Sequence, residues 1–201
     1  MQITLVLILA ATAGLAELIT RQRNRSSIPE LNQIQKIDPV LIKLPAGWEV
    51  SQVDPDVLLA QEPGADGQGR TLMVRLLQVG NVKSPAEFLR RSGLLNQAVV
   101  LRNDGEDGPD NSITMDMTPV RMHPITMAGQ QGVITSVLLA EKSLPGMPAT
   151  VHRQLIAAAV LPSKTAIVIQ LDSTEPDVDP DDERLVKQIA AAMEVQGNPQ
   201  P

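Results

Sequence analysis

The sequence of 201 residues contains no cysteine and almost no aromatic side chains. Without cysteine the chain has no disulfides, no thiol nucleophile and no cysteine-ligated zinc or iron–sulfur site, but its compartment stays open. Trp48 and Phe88 are the two aromatic residues, 1% of the chain. The core must therefore be built from aliphatic side chains and methionine, and aromatic stacking platforms for sugars or nucleobases are excluded.

An excess of basic charge is also missing, because the formal net charge is -6 at pH 7. A phosphate backbone requires a basic protein surface, so no nucleic-acid partner is predicted. Hydrophobic residues make up 43% of the chain and charged residues 20%, which indicates a globular chain. We expect one ordinary domain after the N-terminal segment and a linker are set aside.

Catalytic and ligand-binding signatures are absent from the sequence as well. No Gly-x-Ser-x-Gly elbow is present, and the Gly-rich stretch Glu62–Gly69 lacks the Lys-Ser/Thr ending of a phosphate loop. We therefore predict no catalytic residue, no cofactor and no metal ligand. The alternative is a small hydrolase or metal-dependent enzyme that uses His123 or His152, two histidines in predicted strands that a hairpin partner separates.

The N-terminal stretch from Ile3 to Ala16 is uncharged and apolar, and basic residues follow it at Arg21, Arg23 and Arg25. Its length fits a short membrane anchor, a signal peptide or an ordinary buried helix. We expect residues 1–20 to be a signal peptide or single-pass anchor that associates the chain with a membrane. The side of the membrane that carries the domain is left open.

The remaining chain divides into a linker, a domain and a tail. Residues 21–39 are polar and are expected to be a linker, with a short helix or docked tether as alternatives for its isoleucine spacing. Residues 40–196 are expected to form a single α+β domain, and residues 197–201 a disordered tail. Predicted strands, recognised by short apolar runs between turn residues, cover 40–44, 57–60, 71–79, 119–127, 133–140 and 165–171. A further strand is predicted after a tight turn within residues 45–50.

Two predicted helices carry clear start signals. Ser84 is placed as an N-cap, Pro85 at the first helical position and Glu87 to complete a capping box. The acidic run 172–183 repeats aspartate at every second position, as a calcium loop does, but it lacks the required glycine and final glutamate. We therefore interpret Asp179 as the N-cap of a second helix, with weak cation binding as the alternative.

These elements predict an α+β fold: an antiparallel, twisted sheet flanked by helices near residues 85–95 and 180–195. The stretch 151–195 contains two apolar strands joined at 162–164 and then the second helix. The predicted core consists of Trp48, Leu72, Val74, Leu76, Phe88, Leu89, Leu138, Leu155, Ile156, Ile167, Ile169, Leu185, Ile189 and Met193.

The order of elements, with a Pro45-x-Gly47-Trp48 turn leading into a strand, resembles the PsbP and DcrB group of α/β/α sandwich domains. The same sandwich occurs in the Ran-binding nuclear import factor. The resemblance covers residues 40–195 and implies a PsbP-like sandwich without enzymatic activity. It also implies an accessory domain that is tethered to or exported across a membrane and binds a protein partner. No metal-binding or partner-binding residue of the family is carried over.

Overall fold

The computed structural model describes residues 29–64, 69–95, 99–101, 113–115, 121–141, 150–173 and 179–196. The predicted membrane segment at 1–20 and the tail at 197–201 lie outside these ranges. The helices are α1 (Pro85–Arg91) and α2 (Pro180–Ala192). The strands are β1 (Leu31–Ile37), β2 (Val40–Pro45), β3 (Glu49–Asp54), β4 (Val57–Gln61), β5 (Thr71–Gln78), β6 (Val99–Leu101), β7 (Ile113–Met115), β8 (His123–Met127), β9 (Gln130–Glu141), β10 (Thr150–Val160), β11 (Thr165–Ser173) and β12 (Glu194–Val195).

Seven of these strands form a large antiparallel sheet in the order β3-β4-β5-β11-β10-β9-β8. It combines two meanders, β3 to β5 and β8 to β11, each built from strands that follow one another in the chain. The meanders join where β5 pairs with β11 from Thr71↔Asp172 to Gln78↔Thr165. The fold is therefore α+β with antiparallel sheets, in agreement with the prediction.

The two faces of the large sheet are covered by different helices. Phe88 and Leu89 of α1 pack in one buried cluster with Ile156 and Val168 from β10 and β11, which defines the α1 face. Successive strand residues point to opposite faces, so the fully buried Ile167 belongs to the other side. Helix α2 packs against β8, β10 and β11 there, and we call this side the α2 face.

A second sheet contains three strands in the order β1-β2-β12. Leu31–Ile37, which was expected to lie in the linker 21–39, instead forms β1 and pairs with β2. The pattern was not recognised because β1 is an edge strand: it exposes Ile34 and gains its order from pairing with β2 rather than from an apolar face of its own. The strands predicted on either side of residues 45–48 exist, but β2 and β3 lie in different sheets.

Helix α1 begins at the predicted residue. The Ser84 side chain accepts a hydrogen bond from the Glu87 N–H at 3.2 Å, while the Glu87 carboxylate accepts from the Lys83 N–H at 2.8 Å, one residue before the position of a capping box. Glu87 also pairs with Arg91 at 2.7 Å. The helix ends at Arg91, earlier than the predicted residue 95, because Gly93 adopts φ +76° and stops propagation.

Helix α2 confirms the capping interpretation of the acidic run. The Asp179 side chain accepts a hydrogen bond from the Asp181 N–H at 2.9 Å, and Pro180 occupies the first helical position. Asp181 and Glu183 place negative charge in the first turn, where the helix dipole favours it. Glu183 pairs with Lys187 at 2.6 Å on the outer side of the helix.

The β8–β9 hairpin is tighter than the sequence predicted. A loop of five residues was expected at 128–132, but the turn contains two, Ala128 and Gly129, both with positive φ as a type I′ turn requires. Gly132 lies inside β9, where a Cβ would stand 2.8 Å from the Ala158 carbonyl oxygen. This glycine therefore permits close packing of strands rather than a turn, which explains the wrong loop boundary.

The predicted core is confirmed with one exception. Thirteen of its side chains are buried: Trp48, Leu72, Val74, Leu76, Phe88, Leu89, Leu155, Ile156, Ile167, Ile169, Leu185, Ile189 and Met193. Leu138 is half-buried. Its register partner on β10 is Arg153, which is also half-buried.

Substitution of a central isoleucine tests this description of the core. Ile169→Ala should lower the free energy of unfolding by about 2–5 kcal/mol, because Ile169 is fully buried and its removal leaves a cavity. Ile34→Ala is the matched control, since Ile34 is 62% exposed and should change stability by less than about 0.5 kcal/mol. Urea denaturation of the full chain measures both. Equal losses would contradict the assignment of β11 as the centre of the core.

Candidate functional site

A solvent-open cleft of about 690 Å³ lies between helix α2 and β8, the last strand of the large sheet. It is lined by the β8–β9 hairpin and the second half of α2, through Pro124, Ile125, Thr126, Gly129, Gln130, Gln131, Lys187 and Ala191. The cleft thus combines a sheet edge with a helix surface. Such a combination can hold an extended peptide segment through main-chain and side-chain contacts.

The chemical character of the cleft is mixed. Ile125 and the small Ala191 contribute apolar surface, while Thr126, Gln130 and Lys187 contribute hydrogen-bonding groups. Thr126 and Ala191 are exposed, so a ligand reaches them without rearrangement of the chain. Lys187 holds its ammonium group against Glu183 at 2.6 Å, which leaves this wall close to neutral.

Helix α2 is fixed at the end that borders the cleft. The Ala128 N–H, in the turn between β8 and β9, donates a hydrogen bond to the Ala190 carbonyl at 3.1 Å. Immediately after the helix, β12 pairs with β2, and Glu194 forms an ion pair with Lys43 at 2.8 Å. These contacts tie the helix to both sheets, so the width of the cleft is set by the fold.

The opposite end of α2 is fixed by a cluster around Arg70. The Arg70 guanidinium donates two hydrogen bonds to the Glu62 carboxylate, at 2.7 and 2.8 Å, and a third to Asp182 at 3.2 Å. The same group lies over the Trp48 ring, 5.8 Å from its centroid, within the range of a cation–π contact. With all these partners in place, Arg70 acts as a structural connection between the sheet and the helix.

Burial disfavours the charged forms of both Asp182 and Arg70, which raises the pKa of the carboxyl group and lowers that of the guanidinium. Desolvation raises the pKa of Asp182 and outweighs the opposing effect of its hydrogen bond to Arg70. Burial lowers the pKa of Arg70, but the paired Glu62 and Asp182 carboxylates raise it further, so the net change is upward. The guanidinium therefore stays charged. The group whose ionised form burial disfavours is the Asp182 carboxyl.

The two histidines are not brought together. His123 is exposed at the start of β8, and its register partner Ile134 pairs in turn with Ala157 of β10. His152 lies five positions earlier on β10, which at a strand rise of about 3.3 Å separates the backbones by roughly 16 Å along the strand. Strand β9 also lies between β8 and β10. The alternative of an enzyme using His123 or His152 stays a prediction.

Two further expectations concern metals and membranes. Within the described ranges, no group of three His, Asp or Glu side chains is arranged to hold a metal ion. In the same part of the chain, neither helix is long and apolar enough to cross a membrane.

The sequence did not identify the cleft residues, although one signal was available: Pro124 within an apolar run is typical of an edge strand.

The sequence matches no protein-family model and no curated protein. A similar fold occurs in a protein from Bacteroides thetaiotaomicron VPI-5482 with a crystal structure at 1.50 Å resolution; the TM-score is 0.50 and the sequence identity 10%. The match covers 86% of this chain and 52% of that one, so this chain spans about half its length. Human StAR-related lipid transfer protein 5 matches at a TM-score of 0.31 and 9% identity over 91% of both chains. The first likeness concerns the fold alone, and the second is too weak to support an argument.

The Asp182 carboxyl group predicts a specific pH dependence of stability. Because its folded-state pKa is raised, the contribution of this group is fully present below about pH 4, the ordinary range of aspartate, and is lost as pH rises. The stability of the natural chain relative to Asp182→Asn should therefore fall as the pH rises above about 4. The slope cannot exceed about 1.4 kcal/mol per pH unit.

Urea denaturation of both chains across this range measures the effect. Asparagine keeps the size of the side chain and an oxygen for Arg70, so the comparison isolates the ionisable proton. If the difference grew in favour of the natural chain as pH rose, the Arg70 pairing would dominate over burial, and the assignment would be wrong.

Proposed function

We propose that this chain is a non-enzymatic accessory domain, tethered to a membrane or exported across one, that binds a protein partner. The observation that carries the proposal is the open edge of β8 beside the cleft of about 690 Å³. Among the described strands, none pairs with the outer side of β8. An extended segment of a partner can add to such an edge and place its side chains in the adjoining cleft.

The other free edge of the large sheet is less suited to pairing. Strand β3 has an irregular register between Gln52 and Asp54, and the intervening Val53 is 62% exposed. A bulge and acidic side chains on an edge strand discourage the addition of another strand. Strand β8 has a regular register with β9, although Pro124 removes one hydrogen-bond donor near its start. Short pairing supplemented by the cleft fits a modest, reversible interaction.

The membrane part of the proposal comes from the sequence. The uncharged run from Ile3 to Ala16 has the composition of an anchor or signal peptide. The resemblance to the PsbP and DcrB group supports the same reading, because its members are mainly partner-binding domains tethered to or exported across membranes. Taken together, the cleft supports binding of a partner, and the N-terminal segment supports placement of the domain at a membrane.

A site-specific crosslinker at Thr126 tests partner binding. Placed there in the living source cell, a photoreactive amino acid should give one adduct of defined mass, because Thr126 is exposed in the cleft. Ala191→Arg should reduce the adduct at least about fivefold by filling the cleft. Gln188→Arg adds the same charge to an exposed position of α2 outside the cleft lining and should leave the adduct unchanged.

Comparable adducts from Thr126 and from Arg90, an exposed position of α1, would contradict a specific site. An adduct that survives Ala191→Arg would place the partner elsewhere. Circular dichroism of both α2 variants establishes that the helix is retained, so that a lost adduct reports on binding.

Protease protection in sealed membrane vesicles tests the membrane placement. A C-terminally tagged full chain should sediment with the vesicles, or be found in shortened form on the far side of the membrane. Deletion of residues 1–25 should return it to the soluble fraction on the side of synthesis. If the full chain and the deletion variant fractionate alike, the N-terminal segment does not target the domain. Accessibility of the tag to protease determines the side.

A further inference from the structure

A second feature of the sheet is independent of the cleft. Arg75 interrupts the apolar strand β5, and its register partners on the neighbouring strands are Val57 and Val168. Because Val168 packs with α1, Arg75 lies on the α1 face of the large sheet. The neighbouring positions on this face of β4 and β5, Val57, Leu59 and Met73, are only half-buried, in contrast to the buried residues that alternate with them. A cation therefore stands in a partly open apolar surface.

The Arg75 side chain is held by a chain of amides. Its Nη2 atom donates to the Gln170 side-chain oxygen, and the Gln170 amide donates to Gln154 at 2.9 Å. The Gln154 amide in turn donates to the Asp172 carboxylate at 2.7 Å. Both glutamines are more than nine-tenths buried. All three bonds run in one direction, from the cation to the distant anion, so each polarises the next and fixes the orientation of the guanidinium.

The charge of Arg75 has no direct partner in the described part of the chain. Its Nε–H is buried and makes no hydrogen bond there, and no described carboxylate lies within ion-pair distance of the guanidinium. Burial without a counter-charge also lowers the pKa of Arg75, which is the reverse of what pairing does to Arg70. A group kept only for the stability of the sheet would be better replaced by an apolar side chain.

We propose that Arg75 and the half-buried β4–β5 surface around it form a binding site for a monoanionic amphiphile of the fatty-acid type. Nη2 donates to Gln170 and Nε is buried, so Nη1 is the part of the guanidinium that is open to a ligand carboxylate, to which it can donate charge-assisted hydrogen bonds. Val57, Leu59 and Met73 offer apolar contact to a hydrocarbon body. One cation neutralises one negative charge, and the net charge of -6 disfavours more highly charged ligands such as phosphate esters.

Calorimetric titration of the full-length chain with sodium decanoate tests the site, with decanol as the uncharged ligand of equal length. Decanoate should bind more tightly than decanol. Arg75→Met keeps the side-chain volume and should weaken decanoate by at least about tenfold, because the charge-assisted hydrogen bonds are lost. Arg75→Lys keeps the charge but not the guanidinium geometry, so its affinity for decanoate should lie between those of the natural chain and Arg75→Met.

Arg153→Met is the matched control. Arg153 is half-buried in the same sheet, in register with Leu138 and Ser173, and its position alternates with that of Gln154 on β10, which places it on the α2 face. This variant should bind decanoate as the natural chain does. Thermal unfolding of all variants monitors folding, so that a lost affinity reports on binding.

Three results would overturn the proposal. The first is the absence of decanoate binding to the natural chain at millimolar concentration. The second is equal affinity of decanoate for the natural chain and Arg75→Met, which would place the ligand elsewhere. The third is equal affinity for decanol and decanoate, which would show that the apolar surface binds without the cation. Failure of this test would leave the proposed partner binding at β8 untouched, because the two sites share no residue and lie on different strands.

Discussion

Pairing of β5 with β11 is the constraint on which the rest of the structure depends. The two strands bring together residues such as Gln78 and Thr165 that are 87 positions apart in sequence. Closing so long a loop is entropically costly, and the cost must be offset by apolar burial. Ile167 and Ile169 on one face of β11 and Val168 on the other are fully buried. The strand is thus buried on both faces, which is what turns two separate meanders into one sheet with a helix on each side.

Helix α2 follows directly from that arrangement. It is the next described element after β11, packs against the α2 face of the large sheet, and is followed by β12, which pairs with β2 in the small sheet. Contacts at both ends, Arg70 with Asp182 and Ala128 with Ala190, prevent the helix from sliding along the sheet. The cleft lies where the second half of the helix meets β8 and the β8–β9 hairpin. The candidate binding site is therefore a product of the long-range pairing rather than of a local motif.

The sequence predicted the features that depend on neighbouring residues. Helix starts at Ser84 and Asp179 and the turn at 162–164 were all readable, because caps and turns are satisfied by the backbone within a few positions. Strand β1 and the two-residue turn at Ala128 were missed, since the first is ordered by its partner β2 and the second needs a left-handed alanine. No cleft residue was predicted, because β8, β9 and α2 meet only after the sheet has closed.

Arg70 and Arg75 show why type and burial alone do not reveal a functional residue. Both are partly buried arginines, Arg70 immediately before β5 and Arg75 within it. Arg70 contacts two carboxylates and an aromatic ring, so its charge is neutralised within the fold. Arg75 is held by neutral amides and keeps an unsatisfied donor. What distinguishes them is whether the fold supplies the counter-charge, and a cation that the fold orients but does not neutralise is the one available to an external anion.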